Sequence, residues 1–340
     1  MTLRPDPRTA QPRAKRPLGA LNRRFGVPPF TILDARQGYW KERKASWIAS
    51  GVAGPQLGRG AELTFSQTAQ SAHHYAHKSE LEAKLGQSLS WPEFWLARPD
   101  LRPMTQTSEF DPVLAEMAMI WFVPPGGLVL DPFAGGPVRG LVAHKLGRRY
   151  VGVELRPEQI EANRLAAEAL DAGDPQWILG DSRDVQTLAP GEYDALLTCP
   201  PYADLERYSD DPRDLSTMPY DRFLTAYREI VAASCSLLRD DRFATVVVGD
   251  VRDRKGLYRG FVRDTICAFE AAGLRLYNEA IYIPPYGSLP ARAGRTFAAT
   301  RKLGKAHQNL LVFVKGNPRQ AAKAVGSVVV DALEAGQFGV

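Results

Sequence analysis

The stretch LVLDPFAGGPVRGLVAHKLGRRYVGVEL, residues 128–155, decides the fold of this chain. It opens with a four-residue apolar run and turns through small residues into a helical pattern that ends at Gly147. A second apolar run, YVGVEL, follows directly. Wholly apolar strands that alternate with helices are typical of a parallel sheet covered by helices on both faces. This segment therefore predicts one strand–helix–strand unit of an α/β fold.

Strands and helices keep alternating downstream of this unit. The later apolar runs are WILGD (177–181), YDALLTC (193–199), FATVVVGD (243–250), LYNEAIYI (276–283) and NLLVFVKG (309–316). The last two runs are joined by a long loop, residues 285–306, and have no helical pattern between them. We therefore expect an α/β, Rossmann-like sheet that is mainly parallel and ends in an antiparallel edge hairpin.

Composition excludes several classes of protein. Of the 340 residues, 44% are hydrophobic and 24% are charged, which is ordinary for a chain that buries a core. No apolar run reaches the ~18 residues that a membrane-spanning helix needs. Three scattered cysteines predict neither a disulfide framework nor a zinc site, and we expect no metal. This cysteine usage suits a reducing cytoplasm.

Positive charge is concentrated in two segments. Residues 1–50 hold eleven lysines and arginines against three acidic residues, and the stretch from Ala280 to Asn317 has no acidic residue at all. Such segments favour a polyanionic partner, most simply nucleic acid, although a solubilising tail and a solvated loop would show the same charge. Residues 1–28 are also rich in proline and poor in large apolar side chains, which predicts a disordered basic arm.

Four strand ends carry the residues with chemical potential. In an open α/β sheet, ligands bind beyond the carboxyl ends of the strands, where the strand order reverses. The first strand ends in a small-residue turn, 131–136, and the second in Glu154, an acceptor suited to ribose hydroxyls. The third ends in Asp181, an acceptor suited to an adenine amino group, and the fourth in Thr198-Cys199-Pro200-Pro201-Tyr202. A dinucleotide-binding enzyme would share the first two features, but its GxGxxG motif is absent.

Together these segments resemble the S-adenosylmethionine-dependent DNA methyltransferases that modify exocyclic amino groups. The resemblance covers residues 107–316. PPGGLVLDPFAGG is similar to that family's cofactor motif, usually DPFxGSG, and TCPPY is similar to its catalytic motif, SPPY in many cytosine-modifying members and DPPY or NPPY in many adenine-modifying ones. Two departures stand out: Gly136-Pro137 replaces Ser-Gly, and Cys199 replaces Ser, Asp or Asn.

The resemblance implies a role for each candidate site residue. Asp131, Phe133 and Gly135 would line the methionine part of S-adenosylmethionine, with Glu154 on the ribose and Asp181 on the adenine. The catalytic corner that receives the target base would consist of Thr198, Cys199, Pro200, Pro201 and Tyr202. Together with the composition of the chain, it predicts four parts: the disordered arm 1–28, an accessory or target-recognition region 29–106, the methyltransferase catalytic domain 107–317 and a C-terminal tail 318–340.

The activity implied is site-specific methylation of a base amino group in double-stranded DNA, with the base flipped out of the duplex. Cytosine N-4 is preferred over adenine N-6 because TCPPYADLERYSDD resembles the cytosine-type context. The alternatives are an RNA amino-methyltransferase of the same fold, or a catalytically weak nucleic-acid-binding protein, suggested by Pro137 and Cys199. The resemblance also suggests a bacterial or phage restriction-modification system, with a companion restriction endonuclease and a cytoplasmic location. Target-reading elements are expected in residues 30–105, in the loop 285–306, or in both.

Overall fold

We describe a computed structural model of the chain, which covers residues 18–53, 72–89, 93–94, 97–98 and 109–330, apart from 174, 206 and 288. Its strands form one sheet. The strands are β1 (Ile32–Asp34), β2 (Leu128–Asp131), β3 (Arg149–Glu154), β4 (Gln176–Leu179), β5 (Tyr193–Thr198), β6 (Leu238–Val248), β7 (Arg275–Ile283) and β8 (Gln308–Lys315).

Helices precede, connect and follow these strands. They are α1 (Ala20–Phe25), α2 (Gly38–Ala49), α3 (Ala72–Leu85), α4 (Pro112–Phe122), α5 (Val138–Lys145), α6 (Pro157–Ala169), α7 (Val185–Leu188), α8 (Tyr220–Leu237), α9 (Phe261–Ala271), α10 (Leu289–Thr300) and α11 (Pro318–Val325). None of the helices in the described part of the chain is long and apolar enough to cross a bilayer.

The sheet has the strand order β1-β7-β8-β6-β5-β2-β3-β4. All neighbours are parallel except β8, which runs antiparallel to both β6 and β7. Because β3 and β4 lie on one side of β2 and β5 lies on the other, the strand order reverses between β2 and β5. The predicted Rossmann-like α/β class is confirmed. The β7–β8 hairpin lies one strand in from the edge, because β1 pairs outside β7.

Part of the predicted accessory region belongs to the core of this sheet. Trp40 and Trp47 of α2 are fully buried, in a hydrophobic core cluster that includes side chains of α4. Their indole N–H groups donate to Asp111 at 3.2 Å and to Glu116 at 2.8 Å, so neither leaves a polar atom unpaired. Helix α2 therefore shares the hydrophobic core of the sheet. Residues 54–71 and 99–108 of the same region lie outside the described residues.

The structure also corrects the predicted ends of the chain and the predicted loop. Residues 18–28 do not continue the disordered arm: they form α1 and bury Val27, and Phe25 accepts a hydrogen bond from the Trp121 indole at 3.0 Å. Residues 1–17 and 331–340 lie outside the described part. The tail starts with α11, which buries Ala321 and Val325 against β6 and β8. The loop 285–306 contains helix α10, which has no buried residue.

Candidate functional site

A single cavity of about 930 Å³ lies at the carboxyl ends of β2 to β6. The predicted site residues that line it are Phe133, Gly135, Glu154, Asp181, Cys199, Pro200, Pro201 and Tyr202. Parallel strands bring these ends together, because all the turns that leave β2, β3, β4 and β5 start at the same edge of the sheet. Four segments that are far apart in sequence therefore face one space.

Asp131 and Thr198, which were expected beside the cofactor and the target base, do not line this cavity. Asp131 is 0% exposed and its carboxylate is held by four donors. Oδ2 accepts from Arg139 Nε at 2.6 Å and from the Tyr150 hydroxyl at 2.8 Å, and Oδ1 accepts from the Thr198 hydroxyl at 2.6 Å and from Phe133 N at 3.1 Å. Both side chains are therefore turned into the protein beneath the cavity, where they hold the turn 132–136 and the end of β5.

Arg139 is a site residue that sequence reasoning missed. Its guanidinium is almost fully buried, and Nη2 donates to the carbonyls of Phe133 at 2.8 Å and Ala134 at 2.9 Å. Burial lowers the pKa of Arg139, but the adjacent Asp131 carboxylate raises it, and the net shift is upward. The group stays charged and ties the turn 132–136 to the buried carboxylate. The only signal in the sequence was a charged residue in an otherwise apolar helix, PVRGLVA.

Glu154 holds the same turn from the side of the cavity. Its Oε2 accepts from Gly135 N at 2.9 Å and its Oε1 accepts from Arg156 N at 2.9 Å. Gly135 has a φ of 51°, a left-handed conformation that favours glycine. Its carbonyl accepts from Asn163 at 2.8 Å. The turn is thus fixed at both the N–H and the carbonyl of Gly135. The same contacts hold the Glu154 carboxylate in one orientation in the cavity wall.

Asp181 lies after β4 and is ionised. Burial raises the pKa of this carboxyl, but hydrogen bonds from the Arg183 side chain and backbone lower it, and the net pKa lies below its ordinary value. The Arg183 Nη2 lies 2.5 Å from Asp181 Oδ2, and Arg183 N donates to Oδ1 at 2.9 Å. The cavity therefore has carboxylate acceptors after two neighbouring strands, β3 and β4.

The Cys199–Tyr202 corner follows β5, and its aromatic ring is held in place. The Tyr202 hydroxyl accepts from Gln308 Nε2 at 2.9 Å and lies 3.7 Å from Cys199 Sγ. The ring meets Phe261 edge-on, with 6.4 Å between the centroids. Gln308, the first residue of β8, is a second residue that the sequence did not point to, because nothing local marks a glutamine that reaches another strand end.

Basic and polar side chains surround the mouth of the cavity. Those on the β6 and β8 side are Asp250, Arg252, Tyr258, Arg292, Lys305 and His307. Lys305 Nζ lies 3.2 Å from His307 Nε2, and burial lowers the pKa of both groups. The described residues contain no group of three or more His, Cys, Asp or Glu side chains that could hold a metal ion.

Residues 38–166 match a family model described as DNA methylase. The match starts at the beginning of α2 and runs through β2, the turn 132–136 and β3 into α6. It confirms the resemblance to amino-methyltransferases that the motifs indicate. The matched range begins with α2, which packs into the core of the sheet.

Two curated relatives share shorter segments with this chain. The Type II methyltransferase M2.DpnII of Streptococcus pneumoniae is 35% identical over 65 residues, which is 19% of this chain and 23% of that protein. The Type II methyltransferase M.Cfr9I of Citrobacter freundii is 48% identical over 46 residues, 13% of this chain and 15% of that protein. The matches thus span less than a quarter of either relative. Among solved structures, TrmN from Thermus thermophilus aligns with a TM-score of 0.42 and 15% identity, over 84% of this chain and 80% of that one.

Proposed function

We propose that this chain is an S-adenosylmethionine-dependent methyltransferase that acts on an exocyclic amino group of a base in double-stranded DNA, cytosine N-4 in preference to adenine N-6. The observation that carries the proposal is the shared cavity: Glu154, Asp181 and the Cys199–Tyr202 corner line one space of about 930 Å³. The DNA methylase match supports DNA as the substrate. Both relatives are named Type II methyltransferases, and a companion endonuclease is part of the proposal.

The donor and acceptor chemistry of the cavity fits S-adenosylmethionine. Glu154 presents a carboxylate suited to a ribose diol, and Asp181 presents one suited to the amino group of adenine. Phe133, whose ring stacks on Tyr227 at 5.9 Å, provides an aromatic wall near the turn. Aromatic faces attract cations, and the bound cofactor supplies an electrophilic methyl group on a positively charged sulfur. Asp131 acts only indirectly, through its hold on the turn.

The corner after β5 would orient the target base. The amino nitrogen of a base is a poor nucleophile because its lone pair is delocalised into the ring. Acceptors that hold its protons favour a localised lone pair. The Thr198 side chain is buried and does not line the cavity, so the Pro200 carbonyl and Cys199 are the acceptors that the corner offers. Tyr202 would stack on the base, with its hydroxyl held by Gln308.

Asp250 is a further acceptor at this corner. The backbone before it passes beside Tyr202, since a Cβ added at Gly249 would lie 3.8 Å from Tyr202 Cε2. Within the described residues, Asp250 Oδ1 is buried and has no hydrogen-bond partner. An unpaired buried acceptor costs free energy unless a ligand or water donates to it. We assign Asp250 to the amino protons of the base, in partial replacement of the polar residue that Cys199 displaces.

Positioning would supply most of the rate enhancement. Holding two reactants at near-attack distance contributes up to about 7–11 kcal/mol. A stacked base cannot reach a cavity at the strand ends, so the nucleotide must leave the duplex.

Radiolabel transfer tests the proposal. The protein is incubated with S-adenosylmethionine carrying a tritiated methyl group and with plasmid DNA or RNA, and the product is digested to nucleosides. We expect labelled N-4-methylcytosine from DNA. Label found only in N-6-methyladenine would reverse the base preference, and label found only in RNA would reverse the substrate.

A control variant separates catalysis from cofactor binding. Tyr202→Ala is expected to abolish transfer and to retain affinity for S-adenosylhomocysteine in a calorimetric titration, because Tyr202 faces the base side of the cavity. A wild-type protein that does not bind S-adenosylhomocysteine at high micromolar concentration would refute methyl transfer and favour a nucleic-acid-binding protein without catalysis.

A further inference from the structure

A rigid hairpin stands at the mouth of the cavity. We name residues 250–259, which follow β6, the mouth hairpin. Arg252 and Tyr258 form an antiparallel bridge, and Asp253 N donates to the Leu257 carbonyl at 2.9 Å. The Asp253 side chain also accepts from Leu257 N at 2.8 Å, and the Arg252 guanidinium donates to the Gly256 carbonyl at 2.8 Å. These bonds fix the tip of the mouth hairpin.

The tip presents a large apolar side chain to solvent. Leu257 is 65% exposed, next to Tyr258, which lines the cavity and is itself exposed. Leaving a leucine in water forgoes the stabilisation that burial of its side chain would give. Gly256, beside it, is covered by the Lys302 side chain, so the tip is held while Leu257 remains free to enter a partner.

The surroundings of the tip are strongly basic. The mouth hairpin and the segment 286–307, which includes α10, together hold nine lysines and arginines against two aspartates. The contact between Lys302 and Gly256 joins the two segments into one surface. Arginines also lie over exposed aromatic rings here, Arg252 on Tyr258 at 3.8 Å and Arg301 on Phe297 at 5.4 Å. Basic side chains bind the phosphates of a nucleic acid, and aromatic and apolar side chains contact its bases. The surface around the tip offers both kinds of group.

We infer that the mouth hairpin enters duplex DNA at the target site and that Leu257 fills the space left by the base in the cavity, while the basic surface around it binds the flanking phosphates. Apolar side chains that wedge between base steps are a known way to stabilise a locally opened duplex. The inference rests on the proposed function, because only a flipped base leaves such a space. Leu257 is not part of the cavity wall, so it can fill the gap in the duplex while the cavity residues hold the flipped base.

The test needs no knowledge of the recognition sequence. Fluorescence anisotropy compares binding to a short labelled duplex, fully matched or with one central cytosine·adenine mismatch, in the presence of S-adenosylhomocysteine. A mismatched base is cheaper to flip, so the wild-type protein is expected to prefer the mismatched duplex by about tenfold. Leu257→Ala is expected to reduce this preference to within about twofold and to leave affinity for the matched duplex unchanged, because phosphate contacts dominate there.

Leu165→Ala is the matched control. Leu165 on α6 is 56% exposed, and its neighbour Arg164 lines a separate hollow with Gln176, at the amino end of β4 and thus the opposite end of the sheet. It should keep the full mismatch preference. If Leu257→Ala also keeps that preference, or if the wild-type protein has none or shows it only with RNA duplexes, the wedge in DNA is refuted. Titration with S-adenosylhomocysteine then shows separately whether the proposed function stands.

The phosphate-binding part has its own control. Arg254→Glu/Lys255→Glu on the mouth hairpin should weaken binding to the matched duplex and flatten its dependence on salt concentration. Arg319→Glu/Lys323→Glu makes the same charge change on α11, which is anchored near Asp241 at the amino end of β6. Equal losses of affinity in both double variants would show that net charge alone binds DNA, against the assigned surface.

Discussion

The substitution Asp131→Asn tests the network beneath the cavity most directly. The carboxylate is 0% exposed and pairs with the almost fully buried Arg139 at 2.6 Å. Asparagine has the same shape, so no cavity forms, but the buried guanidinium loses the carboxylate charge with which it is paired. The new amide NH₂ group must also lie against one N–H donor that cannot turn to accept a hydrogen bond. That donor is either the backbone N–H of Phe133 or the guanidinium of Arg139, depending on which way the amide is oriented.

The magnitude follows from these contacts. Removing one partner of a buried ion pair costs about 3–5 kcal/mol, because the other charge is left uncompensated. Thr198→Val removes one hydrogen bond to the same carboxylate and leaves the charge pair intact, so its cost should be about 1.5–3 kcal/mol. Asp210→Asn is the surface control: its side chain is 93% exposed and pairs with the exposed Arg207, and the expected cost is about 0–1 kcal/mol.

Urea denaturation followed by circular dichroism gives the free energy of unfolding for each variant. The double variant Asp131→Asn/Arg139→Gln should cost less than the sum of the two single changes, because it removes the unpaired charge. The turn 132–136 loses its anchor in Asp131→Asn, so affinity for S-adenosylhomocysteine should fall as well. A loss of stability below about 1 kcal/mol, equal to that of Asp210→Asn, would refute the account of the buried pair.

Three further predictions concern the cavity wall. Cys199→Ser restores a stronger hydrogen-bonding group at the corner, so the rate of methyl transfer should rise several-fold in a tritium assay, and a fall would argue that the thiol is required. Asp181→Asn should weaken binding of S-adenosylhomocysteine in calorimetry. Because Arg183 keeps the pKa of Asp181 low in the folded state, the ion pair stabilises the fold above about pH 4 and this stabilisation is lost as pH falls through the lowered pKa. The difference in unfolding free energy between wild type and variant should therefore shrink in acid. Gln308→Leu removes the hydrogen bond from Gln308 to the Tyr202 hydroxyl and should lower the transfer rate while leaving cofactor affinity unchanged; equal losses in both would indicate a general structural role.

The sequence predicted the strands and the positions of most site residues for one physical reason. Strands buried on both faces are continuous apolar runs, so their ends can be located, and the residue after each end falls at the ligand edge. Glu154, Asp181 and the Cys199–Tyr202 corner all lie in the cavity wall on this basis. Their placement required no knowledge of side-chain orientation.

Orientation is where prediction from sequence failed. Asp131 and Thr198 end their strands, as predicted, but both side chains turn inward, and only the packing of β2 against β5 determines that. Strand β1 has three residues with a single buried side chain, too little pattern to detect, and it forms because β7 offers an open edge. Helix α10 has no buried face, so its sequence contains no apolar stripe that contacts a core.

The hydrogen bond between Thr198 and Asp131 joins the two halves of the proposed site. The buried Asp131 carboxylate accepts a hydrogen bond from Thr198, the last residue of β5. It also pairs with Arg139, which donates to two carbonyls of the turn after β2. The turn departs from the family motif at Gly136-Pro137, and Pro137 has no N–H with which to stabilise it. Arg139 donates to two carbonyls of the turn, and Glu154 accepts from the N–H of Gly135. The departures are therefore matched by contacts elsewhere in the same network, which argues for an ordered and competent site rather than a degraded one.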